Sequence, residues 1–231
     1  MRRVLSALDQ RTREFEAHPF YEFLRDGSVQ PRQRLAFAPA LAHFVMTFAD
    51  MYRSVLREEP AKDRFQELVN AHTHEDGGHW KWFLADLSKL DLDPPTSFTD
   101  ALRFLWSDAT EQTRMLSYRI CRLGLGADSL RRLVLVQCIE ATGTVTLRNV
   151  VPVATELARA TGLNLVYFGP HHASSEADHT MEKEDAKGIL ADVAVDASAS
   201  QDLLSLVDET FAAFSAAAGE MLAFARSRPP S

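Results

Sequence analysis

Two cysteines, Cys121 and Cys138, are all the thiols in this chain of 231 residues, and they are far apart with no metal-type spacing. A disulfide framework and a thiolate metal site are therefore both excluded as organising features. No apolar run approaches the ~18–20 uninterrupted residues of a membrane span. The N-terminus, Met1-Arg2-Arg3-Val4-Leu5, meets a charge again at Asp9 and lacks the apolar stretch of a secretion signal. Cytoplasm, with reduced buried thiols and no membrane partner, is the expected setting. There is also no basic block and no interleaved arginine and aromatic tract. With a net charge of −7, a nucleic-acid surface is not expected, because such surfaces work by neutralising phosphates.

Turn signals are sparse as well. They fall at Asp26-Gly27-Ser28, Glu58-Glu59-Pro60, Leu92-Asp93-Pro94-Pro95-Thr96, Gly124-Leu125-Gly126, Gly169-Pro170 and the small-residue stretch 191–201. Between them the apolar spacing is helical, as in Leu35, Phe37, Leu41, Phe44, Val45, Phe48 and Met51. Thr96, Ser97 and Thr99 are candidate N-caps for a helix over 100–123, and Asp128-Ser129 opens a helix over 129–142. The β-branched run around Val145 to Val153 contains Pro152 and has no partner strands, which favours a kinked helix over a strand. The expectation is one all-α domain over 1–231, with about seven helices around a single core.

What is present in unusual concentration is histidine. Six of the eight lie in two windows, His72-Thr73-His74-Glu75-Asp76-Gly77-Gly78-His79 and His171-His172-Ala173-Ser174-Ser175-Glu176-Ala177-Asp178-His179. On continuous helices, positions i, i+3, i+4 and i+7 share a face. That face would hold His72, Glu75, Asp76 and His79 in the first window and His172, Glu176 and His179 in the second. His171 and Asp178 share a rotated face and suit supporting roles. Imidazole with carboxylate is the donor chemistry of iron, manganese or zinc. Two facing helices of this kind are how di-iron sites are built inside bundles. Glu140 follows seven residues with little polarity, Leu133 to Ile139, and a carboxylate there needs a partner or a metal. Isolated His18 and His43 read as satisfied core or surface residues, and Glu182-Lys183-Glu184-Asp185 as a solvated face. His74-Glu75…His79 is not the zinc-protease pattern, because i and i+5 diverge around a helix.

Several stretches together resemble the heme-oxygenase-like superfamily, which contains TenA, PqqC and the heme-oxygenase-like di-iron oxidases. His18-Pro19-Phe20-Tyr21-Glu22-Phe23-Leu24-Arg25-Asp26-Gly27 is similar to its opening, and an aromatic-rich helix, His43 to Phe48, follows. The window ending at His79 leads into Trp80-Lys81-Trp82-Phe83, Glu140 stands alone, and Tyr167-Phe168 precedes His172-x3-Glu176-x2-His179. The resemblance covers roughly residues 15–190. It implies a seven-helix bundle, two non-heme iron ions, and O₂-dependent oxidation of a small amino acid, amine or fatty acid, often as a homodimer. Glu140, His172, Glu176 and His179 match the family's ligand positions, with Glu176 where Asp is commoner. The family places its first Glu three or seven residues before the His of the first helix. Those positions are Asp76 and His72 here, while Glu75 is four before His79, so the first carboxylate stays open among these residues.

The function expected is thus a non-heme di-iron oxidase or oxygenase acting on a small substrate and O₂. Manganese and zinc also fit the donors. Arg114, Arg119 and Arg148 are candidate clamps for a substrate carboxylate. The rivals are a cofactor-free or thiol-using enzyme of the same fold with Cys138 as nucleophile, and a metal-binding helical module without catalysis.

Overall fold

The computed structural model of the chain describes residues 1–177 and 186–228, and of Asp76, Glu176 and Ala177 the backbone alone. Among these residues every regular element is helical. In order they are α1 (Arg2–Glu16), α2 (Pro19–Arg25), α3 (Pro31–Arg34), a 3₁₀ turn (Ala38–Leu41), α4 (Ala42–Met51), α5 (Arg64–Glu75) and α6 (Trp80–Lys89). The second half has α7 (Phe98–Leu105), α8 (Glu111–Gly124), α9 (Ser129–Thr161), α10 (Pro170–Ala177), α11 (Ala186–Ala191) and α12 (Ala197–Ser227). Seven of them, α1, α4, α5, α6, α8, α9 and α12, run for ten residues or more.

The two longest helices organise the rest. α12 packs on α8, α1 and α9, while α9 also carries α5 on another side. α9 can be central because Leu133, Val134, Leu135, Val136, Gln137, Cys138 and Ile139 are all buried, so it is covered all round. Burying one such leucine or isoleucine side chain contributes about 1.5–3 kcal/mol. Asp128 caps its first turn by accepting from the Arg131 amide at 2.8 Å, and Gly162, at φ 77°, closes it in the left-handed conformation that glycine adopts without strain. The β-branched run is helical, as expected, and α9 extends through Pro152 to Thr161.

The expected helix over 100–123 is two helices. Ser97 caps α7 by accepting from the Asp100 amide at 3.1 Å, the chain turns over 106–110, and α8 starts at Glu111. α7 buries none of its residues and leaves Phe98 and Leu102 exposed, with Trp106 exposed just beyond it. Pro31–Leu56 is apolar enough by length and composition to cross a membrane, but it is divided among α3, the 3₁₀ turn, α4 and a π-helical turn over Tyr52–Leu56, and it is mostly buried in the core.

Candidate functional site

The first histidine window is not one helix. α5 stops at Glu75, Asp76–Gly78 forms a 3₁₀ turn, and His79 is the N-cap residue of α6. Two adjacent glycines cost a helix about 1 kcal/mol each relative to alanine, enough to end it where packing does not insist. The expected common face of His72, Glu75, Asp76 and His79 is therefore broken. His72 points inward and is fully buried, whereas Glu75 is exposed. The side chain of Asp76 lies outside the described residues.

What α5 and α9 bring together instead is His72 and Glu140. His72 Nε2 lies 3.0 Å from Glu140 Oε1, and the carboxylate side chain keeps 20% of its exposure. Glu140 follows the seven buried residues of α9 and emerges where the core opens into a cavity. The hydroxyl of Tyr52, from the π-helical turn after α4, sits 3.3 Å from the same His72 nitrogen. A partner of this kind offsets the cost of a carboxylate so close to an apolar core.

The second pair is His79 and His172, with His79 Nδ1 and His172 Nε2 3.1 Å apart. His172 Nδ1 is 2.8 Å from the Tyr167 carbonyl. A carbonyl only accepts, so Nδ1 carries a proton and Nε2 is the nitrogen that faces His79. His79 in turn stacks on Trp82 with ring centroids 4.5 Å apart and planes 17° from parallel. His171 is exposed, its ring edge-on to Trp82 at 4.9 Å.

The loop before α10 that positions His172 is held by a residue with no place in the sequence argument. Asp86 is fully buried in α6. It accepts from the Val166 amide at 2.9 Å and from the Phe168 amide at 3.1 Å, fixing the chain on both sides of Tyr167. Gly169 completes the turn, because a Cβ there would sit 2.0 Å from the Leu165 carbonyl oxygen.

Glu140, His79 and His172 all line one cavity of about 150 Å³. Its remaining wall is largely apolar, including Phe15, Phe44, Phe48, Ile139, Phe214 and Met221. Two ligand atoms each about 2.1 Å from a shared cation and at right angles to it lie about 3.0 Å apart. The separations inside both pairs match such neighbouring positions, and imidazole with carboxylate suits iron, manganese or zinc. By donor type, then, the residues fit a metal. Among the described residues no group of three or more His, Cys, Asp or Glu side chains is gathered at one point. The remaining candidates, the Asp76 and Glu176 side chains and all of His179, lie outside the described residues, as does Asp178.

Several other expectations are corrected or sharpened. Arg114 braces the turn between α7 and α8, donating to the Leu105 carbonyl at 2.8 Å and the Ser107 carbonyl at 3.3 Å. Arg148 pairs with Glu16 at 3.0 Å on the surface. Neither of these nor Arg119 lines the cavity, so none clamps a substrate there. Cys138 is fully buried on α9 and does not line the cavity either; burial pushes its thiol far above the ordinary range, leaving essentially no thiolate. His18 and His43 have the structural roles expected. His18 Nδ1 accepts from the Phe20 amide at 3.1 Å as the cap of α2. His43 is buried against Trp106 and Tyr118. His74 is exposed and pairs with Glu59 at 2.8 Å.

No family model and no curated protein matches the sequence. A solved structure does resemble it: a domain of unknown function with a heme oxygenase-like fold from Shewanella denitrificans OS217. The two superpose with a TM-score of 0.59 at 13% identity, over 95% of this chain and 89% of that one. At that identity the likeness concerns architecture, and it agrees with the expected all-α bundle. The chain has the heme oxygenase-like fold.

Proposed function

We propose that this protein is a non-heme metal-dependent oxidase or oxygenase, with two iron ions as its cofactor and O₂ as co-substrate, acting on a small molecule. The observation that carries the proposal is the meeting of two donor pairs, His72 with Glu140 and His79 with His172, three of whose members line one apolar cavity. In the proposed site Glu140 and His72 hold metal from the α9 and α5 side, and His79 and His172 from the α6 and α10 side. Glu176, His179 and one of Glu75 or Asp76 complete the set. Glu75 is exposed, which weakens it as a ligand. Bound iron would supply the reduction of O₂ that none of these side chains can perform alone.

The chain's own residues have three tasks. Tyr167 accepts the Nδ1 proton of His172 and so fixes which nitrogen faces the centre. Glu140 supplies negative charge that neutral imidazoles lack, lowering the repulsion between adjacent cations. The aromatic wall excludes water, which favours oxidation of a bound substrate over loss of a reactive species to solvent. We also place the protein in the cytoplasm, in keeping with its two free cysteines.

The thiol-using alternative is disfavoured by Cys138, buried and without access to the cavity. Anaerobic reconstitution with Fe(II), followed by O₂ exposure with optical and Mössbauer readout, tests the proposal. Two iron ions per chain and O₂ consumption are expected. Metal bound without O₂ uptake would make it a binding module, and full activity without metal a cofactor-free enzyme.

A further inference from the structure

The cavity wall is not uniformly apolar along α9. Thr142 and Thr146 line it from α9 and Tyr21 from α2, and the direction of their hydrogen bonds is fixed. Thr146 Oγ1 lies 2.8 Å from the Thr142 carbonyl. That carbonyl has no proton to give, so the single hydroxyl proton of Thr146 points to it. Tyr21 Oη lies 2.9 Å from the same Thr146 oxygen. With the Thr146 proton committed to the carbonyl, Tyr21 is the donor of this second bond. The reverse direction would strand the proton of a fully buried tyrosine, which is costly. Burial also pushes the Tyr21 phenol far above its ordinary range, so the proton stays on it.

A hydroxyl oxygen has two lone pairs. Tyr21 takes one at Thr146, and the other is left to a side chain that is half-buried and lines the cavity. Thr142 adds no donor, because its own Oγ1 donates to the Ile139 carbonyl at 2.7 Å. These three hydroxyls therefore accept from the cavity and do not donate to it. Two backbone carbonyls impose that polarity, and it does not depend on the protonation of any side chain in the donor pairs. A hydroxyl already donating along a chain is also the better acceptor. Thr146 stands six residues beyond Glu140, about 9 Å along the helix axis. Leu147, Val150 and Phe15 line the cavity as apolar neighbours in sequence or in the wall.

We infer that Thr146 is a specificity-determining contact for a substrate bearing a hydroxyl or N–H group on an apolar body. The substrate's O–H or N–H donates to Thr146 Oγ1, and the body runs along α9 toward His79 and His172. A substrate offering only a carbonyl, ether or carboxylate oxygen at this point would set lone pair against lone pair. This rests on the reading above that the cavity is the substrate site, but the binding it concerns does not require metal.

The test is titration of the metal-free full chain with benzyl alcohol, acetophenone and toluene, by calorimetry or ligand-observed NMR. The three share one ring, and they carry a donor, an acceptor only, and neither. Thr146→Val keeps the shape and removes the oxygen. It is expected to weaken benzyl alcohol about fivefold, the worth of one neutral hydrogen bond, and to leave acetophenone and toluene unchanged. Thr146→Ser should restore benzyl alcohol. If the lone Tyr21 hydroxyl destabilises Thr146→Val, the double variant Tyr21→Phe with Thr146→Val removes both groups and must show the same loss. Benzyl alcohol bound equally by parent and variant would overturn the inference. Acetophenone weakened as much as benzyl alcohol would do so too, since Thr146 would then be donating. So would a parent protein that binds none of the three. Iron content, measured separately on the same parent protein, keeps the two readings apart. Ring binding without iron uptake sinks the oxidase and leaves this inference standing; iron uptake without ring binding does the reverse.

Discussion

The two halves of the candidate site are built in different ways. His72 and Glu140 stand on α5 and α9, within long runs of buried helix, and their pairing at 3.0 Å is a product of core packing. His79 and His172 stand at the start of α6 and in the short α10, placed by a glycine break, a buried aspartate and a tight turn. The first half is as rigid as the core that carries it. The second is positioned by a few discrete polar and backbone contacts, so single substitutions remote from the histidines should disturb it selectively.

The largest effect of that kind is expected at Asp86. Asp86→Ala leaves the Val166 and Phe168 amides without their buried acceptor, a loss of about 1–3 kcal/mol for each such group. Thermal unfolding should show a marked fall in Tm, and metal content should drop because the Tyr167–His172 segment is released. Unchanged iron content would show that the second half is held by something other than Asp86.

Next in size is the contrast between the two histidines themselves. His72→Ala opens a hole in the core and removes the partner of Glu140, costing about 2–4 kcal/mol. His172→Ala acts at the rim of an existing cavity and should cost about 1 kcal/mol. Denaturant unfolding of both variants measures the difference, and equal losses would erase the distinction between halves.

The one stabilising change is also the most diagnostic. Gly77 and Gly78 have nothing within 4 Å of an added Cβ and no positive φ. Replacing both with alanine should raise stability slightly, by about 0.5–1 kcal/mol each. A straighter passage from α5 into α6 would at the same time turn His79 away from His172 and lower metal binding. A gain in stability with full metal content would mean that the break serves no site.

The legibility of this molecule follows the same division. Helical apolar spacing and Gly/Pro punctuation exposed the all-α fold, and the burial of Leu133 to Ile139 makes Glu140 conspicuous in sequence and structure alike. The shared-face argument failed in the first window because it carried a helix through Gly77-Gly78, a break that the glycine pair itself signals. Asp86 could have been found by the reasoning used for Glu140. It occupies a core position of α6, three residues after fully buried Phe83 and four before buried Leu90. A carboxylate in that register calls for an explanation. The amides that satisfy it, 80 and 82 residues away, are beyond any local pattern. The arginines failed as clamps for a related reason, since a cationic side chain in sequence carries no sign of which carbonyl or carboxylate it will reach.

The central claim is that Glu140 is a metal ligand and not merely the hydrogen-bond partner of a buried histidine. Three carboxylates, Glu140, Glu176 and one of Glu75 or Asp76, would oppose the four positive charges of two Fe(II), and Glu140→Ala leaves two in a space where imbalance is poorly screened. The most direct measurement is iron stoichiometry after anaerobic reconstitution of the parent protein and of Glu140→Ala, with Mössbauer readout and circular dichroism to confirm that α9 persists, as alanine allows. The account predicts two iron ions per chain in the parent and one or none in the variant. Equal iron content in both folded proteins, or none in the parent, would contradict it.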